Sequence, residues 1–233
     1  ANKMNSELIN LNTYLISNRL SLNIDKTHII VFSNNPVIRN LTPIIKINDI
    51  PIQTKSKTSF LGVIITNSLS WTEQIIHIRN KVSKSVGIIR KASKVLNQQT
   101  LITLYKALVL PYLTYCNIIW GNAPTSHLTK LHLLQKKAIR SIFGLSMREH
   151  TAPFFASSNL LTIFDLYKIS CITFLYKLLF NIHPPFIITH FNNTILKFSA
   201  INPSRPITTR GMTANRLIVP NYRTSLKQSF FPY

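Results

Sequence analysis

The acidic side chains of this chain are too few and too scattered to predict a metal-dependent catalytic centre. There are six, and no two are close in sequence: Glu7, Asp25, Asp49, Glu73, Glu149 and Asp165. Two-metal phosphoryl transfer needs carboxylates gathered around two ions about 3.5–4 Å apart. We therefore expect no metal site or other cofactor in this chain.

Cysteine and histidine also give no metal-binding pattern. Cys116 and Cys171 lie in separate apolar stretches, and the seven histidines form no pair at zinc-site spacing. We expect both thiols to be buried and reduced, as in an intracellular protein. His28, next to Ile29-Ile30, is predicted to be a strand residue rather than a ligand.

The cationic side chains are the ones whose number points to a function. The chain has 27 Lys+Arg against 6 Asp+Glu, a formal net charge of +21 on 233 residues, and its 45% hydrophobic content predicts a packed core. Lys and Arg release condensed counterions when they bind phosphates, so nucleic acid is the leading partner, with a membrane surface second. An AT-rich genome would explain the Lys and Asn but not the scarcity of acids.

The first 70 residues predict short mixed elements. Residues 5–19 carry apolar side chains at helical spacing, and the β-branched run 28–32 predicts a strand. A hairpin is predicted over 44–53, turning at Asn48-Asp49. Residues 60–65 are predicted to form a further strand, in which Gly62 lets another backbone approach closely.

From Ser70 onward the pattern is helical. Ser70 and Glu73 fit a capping box, and the helix they open is predicted to run to Leu96. Its two faces differ, with Ile75, Ile78, Val82, Val86, Ile89 and Leu96 on one side and Asn80, Lys84, Lys91 and Lys94 on the other. Further helices are predicted over 99–120 with a break at Pro111, over 128–142 ending near Gly144, and over 160–181, stopped by His183-Pro184-Pro185.

These elements predict an α+β fold made of a small mixed piece, an all-α bundle and an irregular tail. The expected organisation is 1–70, 71–145, 146–184 and a loop-rich basic tail over 185–233. The most apolar stretch contains Asp165, Lys168 and Lys177, which favours a buried helix over a membrane span because a charge at the bilayer centre costs about 2.5–3.5 kcal/mol. The polar start shows no secretory signal, and we interpret the chain as a fragment.

Several short motifs occur in a characteristic order. They are Leu20–Thr27, Phe60–Ile65 with Leu69-Ser70-Trp71, Pro111–Cys116 with Trp120-Gly121, Leu131–Arg140, and His150–Phe155. In this order and spacing they resemble the C-terminal half of a non-LTR (LINE-type, jockey-like) retrotransposon reverse transcriptase. The resemblance implies the end of the palm (1–70), a helical thumb (71–145) and a connection region (146–184).

The resemblance also implies what the chain lacks. Reverse transcriptases take their catalytic carboxylates from an early palm strand and a Tyr-x-Asp-Asp turn, and neither is present here. The active centre would then lie before residue 1, and this chain alone would be inactive. Mg²⁺ is expected for the full-length enzyme, the N-terminal fingers and palm of the same polyprotein are the expected partner, and the parent element would act in the nucleus and cytoplasm.

Site residues follow from the same resemblance. Lys26 would lie near the incoming nucleotide, although a solvated lysine at a turn is an equal alternative. Phe60, Leu61 and Gly62 match a primer-grip hairpin, anchored by burial of Phe60 and Trp71. Position 66, usually Asp in the family, is Thr here, which puts any polar role of that position in doubt. The remaining nucleic-acid contacts would be Lys81, Lys84, Arg90, Lys91, Lys94, Lys136, Lys137 and Arg140.

Two other interpretations stay open. The chain could be a free-standing basic RNA- or DNA-binding protein without enzymatic activity, or a membrane-surface protein whose apolar helices lie in lipid. His150 and Thr151 have no nucleophile or acid partner beside them in sequence, so we interpret them as a capped turn before the next helix.

Overall fold

The computed structural model of the chain describes residues 2–48 and 50–191. The predicted basic tail from residue 192 onward lies outside the described residues, as does Asp49 of the predicted turn. The helices are α1 Asn2–Ser17, α2 Pro36–Arg39, α3 Thr72–Ala92, α4 Gln98–Leu108, α5 Leu110–Thr114, α6 Asn117–Trp120, α7 Thr125–Phe143, α8 Ala152–Ser157 and α9 Ile163–Leu179. The strands are β1 His28–Ile29, β2 Lys46–Ile47, β3 Ile50–Pro51, β4 Gln53–Thr54, β5 Lys57–Phe60 and β6 Val63–Thr66. The predicted α+β class, mostly helical, is confirmed.

The chain divides into two compact units, Ala1–Ser83 and Lys84–Tyr233, with the boundary inside α3. This boundary does not by itself test the four-part organisation expected from the sequence, which stays a prediction.

The first unit contains short strands in two-stranded pairs: β1 with β4 in parallel, and β2 with β3 and β5 with β6 in antiparallel orientation. One hydrophobic cluster of this unit is Ile45, Ile47 and Ile52, and Val63 and the α3 residues Ile75, Ile78 and Val82 are buried as well. The predicted hairpin over 44–53 is confirmed, and Asn48 has the positive φ of 49° that its turn requires. The strand predicted over 28–32 is shorter than expected.

The single strand predicted over 60–65 from the local pattern is wrong, because these residues contain the turn of a hairpin. β5 and β6 pair from Lys57↔Thr66 to Phe60↔Val63, so Leu61 and Gly62 form a two-residue turn between them. Both have positive φ, 46° and 78°, as a type I′ turn demands. Gly62 therefore serves the turn rather than a close approach within a strand.

The prediction of a capping box at the start of α3 is also wrong. The Ser70 N–H donates to Thr66 Oγ1 at 3.0 Å, and Thr66 Oγ1 donates back to the Ser70 carbonyl. The Glu73 carboxylate accepts from Lys57 Nζ at 3.2 Å instead of reaching back to Ser70. The polar role of position 66 is thus a local one, filled by the threonine hydroxyl.

The predicted apolar face of α3 is buried on both sides of the unit boundary, at Ile75, Ile78 and Val82 in the first unit and at Val86 and Ile89 in the second. The helix ends at Ala92, before Leu96, which is 39% exposed. The break at Pro111 and the end of α7 at Gly144, with φ 65°, are confirmed. Two expectations fail, since residues 185–191 are helical rather than loop-like and both cysteines are half-buried.

Among the described residues, no helix has both the length and the apolar character needed to cross a membrane.

Candidate nucleic-acid interface

After its first turn, which contains Glu73, the solvent face of α3 carries a set of cations with no acid among them. Lys84 and Lys91 lie seven residues apart and therefore on the same side, directly opposite the buried stripe. Arg90 is exposed on one flank, and Lys94 is exposed just beyond the end of the helix. After Glu73 the helix contains no Asp or Glu. This face therefore presents one sign of charge.

Lys81, also predicted from the sequence, is exposed on the part of α3 that belongs to the first unit. The first unit holds two further predicted contacts, at the hairpin and at Lys26.

The β5–β6 hairpin points its apolar turn toward solvent. Phe60 is 61% exposed and Leu61 is 74% exposed, so the expectation that Phe60 anchors the hairpin by burial was wrong. The turn residues lie beyond the last paired rung, Phe60↔Val63. Trp71 is half-buried.

Polar contacts anchor the hairpin to the start of α3 instead. The Ile64 N–H donates to Gln74 Oε1 at 2.9 Å, and the Gln74 side chain is buried. Lys57 on β5 makes the ion pair with Glu73. Together these contacts hold the two strands, and the turn at Leu61-Gly62 is exposed to solvent.

Lys26 ends a short 3₁₀ turn, Ile24–Lys26, and its side chain is exposed. Its N–H donates to Asn23 Oδ1 at 3.0 Å. His28, confirmed as a strand residue of β1, has one ring nitrogen on the Lys26 carbonyl at 3.1 Å and the other on Thr58 Oγ1 of β5. Because a carbonyl only accepts, Nδ1 carries the proton and Nε2 accepts from Thr58 in the neutral ring. The Lys26 backbone is therefore tied to the hairpin.

The predicted cluster Lys136, Lys137 and Arg140 on α7 is divided by the fold. Lys137 is exposed, whereas Lys136 is half-buried and lines a cavity. The Arg140 Nη2 donates to the Glu149 carbonyl at 3.3 Å, so this guanidinium secures the loop after α7. These three cations do not form one surface.

Two residues of α7 that were not predicted as site residues organise this region. Gln135 is fully buried; its Nε2 donates to Tyr105 Oη at 2.8 Å and to the Leu161 carbonyl at 3.2 Å, and its Oε1 accepts from the Ile163 N–H at 2.8 Å. It thus connects α4, α7 and the start of α9. Burial of the Tyr105 hydroxyl raises its pKa to about 12.

His132, one turn before Lys136, lines the same cavity. Its ring packs against Phe155 and Phe164, with centroids 6.1 Å and 5.5 Å away. Burial lowers the pKa of His132, and Lys136 adds to the lowering. The i, i+4 spacing of His132 and Lys136 was visible in the sequence, but the aromatic partners of His132 are more than twenty residues away along the chain.

His150 and Thr151 also border this cavity. Thr151 precedes α8 and is buried, and its carbonyl accepts from the Phe154 and Phe155 N–H groups. Its side chain makes no capping hydrogen bond, so the turn predicted here exists without the side-chain cap.

The described residues contain no group of three His, Cys, Asp or Glu side chains that could hold a metal ion.

The chain is similar in sequence to three curated proteins. It is 26% identical over 150 residues, 63% of this chain, to the probable RNA-directed DNA polymerase from transposon X-element of Drosophila melanogaster. It is 30% and 28% identical, over 54% and 53% of this chain, to the RNA-directed DNA polymerases from mobile element jockey of Drosophila funebris and Drosophila melanogaster. The resemblance to polymerases of non-LTR elements is confirmed.

The matched regions cover 16%, 14% and 13% of those relatives, so the chain spans a small part of their length. No family model matches the chain. No solved structure matches it either.

Proposed function

We propose that this chain is the template–primer-gripping segment of an RNA-directed DNA polymerase from a non-LTR retrotransposon. The observation that carries the proposal is the exposed, acid-free cationic face of α3 at Lys84 and Lys91. Similarity to the X-element and jockey polymerases supports the choice of an RNA–DNA duplex over other polyanions.

The α3 face suits a repeating phosphate backbone. Seven residues at 1.5 Å rise separate Lys84 and Lys91 by about 10 Å along the helix. Lysines at this separation contact phosphates as point charges and read no base sequence. Binding of this kind weakens steeply with salt because it is driven by counterion release.

The hairpin turn supplies a second kind of contact, in the first unit. An exposed Phe60-Leu61 pair followed by Gly62 offers apolar surface beside a residue with no side chain. In the proposed role this turn holds the 3′ end of the primer, and Lys26 lies near the incoming nucleotide.

Polymerisation in this proposal belongs to the rest of the polyprotein. Its fingers and palm would supply the catalytic carboxylates and the Mg²⁺ sites, and would cover apolar side chains that the first unit exposes, among them Ile9, Tyr14 and Ile16 of α1. The chain alone would bind nucleic acid without extending a primer, and the parent element would act in the nucleus and cytoplasm.

The test compares two triple variants with the same loss of charge. Lys84→Gln/Arg90→Gln/Lys91→Gln removes cations from the α3 face. The matched control, Lys106→Gln/Lys130→Gln/Lys168→Gln, removes three exposed lysines spread over α4, α7 and α9. Affinity for a blunt RNA–DNA hybrid is measured against salt concentration.

We expect the slope of log affinity against log salt, which is negative, to become shallower by about 2 to 3 in the α3 variant, because each lost phosphate contact removes about 0.9 from its magnitude. The control should change the slope by less than half as much. Equal effects of the two triples would contradict the α3 assignment, and no salt-sensitive binding by the unaltered chain would remove the proposed function. Vesicle binding that survives excess RNA would favour the membrane-surface alternative.

A further inference from the structure

We propose that the cavity between α7 and the start of α9 receives one unpaired nucleotide, with its phosphate on Lys136 and its base edge on Asp165. The proposal rests on the proposed function for the source of this nucleotide, which is the nucleic acid that the protein binds. The cavity measures about 420 Å³ and lies entirely within the second unit. This volume falls in the range of about 300–1,000 Å³ that small-molecule sites occupy.

One wall of the cavity is apolar and aromatic. Phe155, Leu160 and Leu161 line it together with the His132 ring, which stacks on Phe155 at an interplanar angle of 30°. Unpaired bases stack on aromatic side chains, histidine included. Because burial lowers the pKa of His132, the ring stays neutral near pH 7 and keeps its flat apolar faces free of charge.

Lys136 and Asp165, the charged side chains that line the cavity, have opposite charges and come from different helices. Lys136 comes from α7, and Asp165 from the first turn of α9. Asp165 Oδ2 accepts from the Thr162 hydroxyl at 2.6 Å, and its N–H donates back to Thr162 Oγ1, which sets the carboxylate in place. An ionised carboxylate has acceptor capacity beyond this one hydrogen bond.

A nucleotide carries the groups that match both charges. Its phosphate complements the Lys136 ammonium, and the exocyclic amino group of adenine, cytosine or guanine complements the carboxylate. Uracil and thymine present a carbonyl at the corresponding position, which a carboxylate repels. The cavity should therefore prefer amino-bearing bases, and it requires a base that is not already paired.

The first experiment titrates the full chain with AMP, UMP and adenosine by calorimetry. AMP should bind more tightly than either UMP or adenosine. Lys136→Gln should weaken AMP binding by about tenfold while leaving adenosine unchanged, because it removes only the charge-assisted contact to phosphate. Asp165→Asn should abolish the preference for AMP over UMP.

Lys130→Gln is the matched control for Lys136→Gln. It loses the same charge on the same helix, α7, but Lys130 is exposed and does not line the cavity. It should bind AMP as the unaltered chain does, and Lys136→Arg should retain most of the affinity. Equal loss in the two glutamine variants, or no AMP binding by the unaltered chain, would overturn the proposal.

The second experiment asks whether the nucleotide comes from a strand. An RNA–DNA hybrid with one unpaired adenosine at its end should bind more tightly than the blunt hybrid, and Lys136→Gln, unlike Lys130→Gln, should remove this gain. AMP binding without any gain from the overhang would overturn the strand assignment. The blunt hybrid has no unpaired nucleotide to place in this cavity, so its binding tests the proposed function and the gain from the overhang tests this inference; failure of one is distinguishable from failure of the other.

Discussion

At the residue scale, the least expected feature is a leucine with a backbone that leucine rarely adopts. Leu61 has φ 46° in the β5–β6 turn and exposes most of its side chain to solvent. The left-handed region costs an L-residue with a β-carbon about 1–2 kcal/mol, and asparagine tolerates it better. A leucine here costs stability, and its exposed side chain offers the turn an apolar surface for contact with a ligand.

We predict that Leu61→Asn stabilises the fold and weakens binding at a primer end. The hairpin should gain about 1 kcal/mol because Asn-Gly suits a type I′ turn. Urea denaturation measures the gain, and affinity for a hybrid with a recessed 3′ end measures the loss.

Leu69→Asn is the control, since Leu69 lies in the same unit, is exposed and has φ 54°. It should stabilise by a similar amount and leave affinity unchanged. If both variants weakened binding equally, the turn would have no particular role in holding the primer.

At the element scale, α3 is the helix on which the proposed function depends. Its sequence includes a residue that lowers the stability of the helix. Gly87 lies in its middle, on the exposed face between Lys84 and Lys91, and a β-carbon added there would meet nothing within 4 Å. A glycine inside a helix costs about 0.5–1 kcal/mol relative to alanine.

Gly87→Ala should therefore raise the free energy of unfolding by about 0.5–1 kcal/mol, measured by thermal or urea denaturation. Gly121→Ala is the opposite case, because its β-carbon would lie 2.5 Å from the Asn117 carbonyl oxygen and would overlap the Tyr167 ring. That variant should be destabilised. A loss of stability in Gly87→Ala would show that α3 is packed or strained there in a way the described contacts do not include.

At the scale of the whole molecule, the part of the first unit that precedes β5 buries far fewer apolar side chains than the helices of the second unit. Among the described residues before β5, the buried apolar side chains are Ile45, Ile47 and Ile52, and the two-stranded pairs that hold them are marginally stable in water by themselves. This part exposes many large apolar side chains, which include Met4, Ile9, Tyr14, Ile16, Phe32, Val37, Leu41 and Ile44. The helices of the second unit enclose fully buried residues such as Tyr105, Leu113, Trp120 and Leu131.

Hydrogen exchange should show this difference. In the isolated chain, amides of the β2–β3 hairpin should exchange much faster than those in the middle of α7, because the local opening free energy is lower. If the proposed function holds, adding the proposed fingers and palm should slow exchange in the first unit and leave α7 unchanged. Protection of the β2–β3 amides equal to that of α7 in the isolated chain would contradict the proposed packing partner.

The sequence by itself determined the features that depend on local pattern. The apolar stripe of α3, the break at Pro111, the end of α7 at Gly144 and the Asn48 turn follow from helical periodicity, proline geometry and backbone conformations that particular residues tolerate. The order of the sequence motifs also indicated the similarity to non-LTR polymerases.

Only the tertiary structure decided which side chains act together. It separated Lys136 from Lys137 and Arg140, turned Glu73 from a cap into the partner of Lys57, and placed Asp165 in one cavity with His132. These outcomes depend on contacts between residues many positions apart, where a charged side chain takes whichever partner the packing brings within reach. Local periodicity carries no information about such partners.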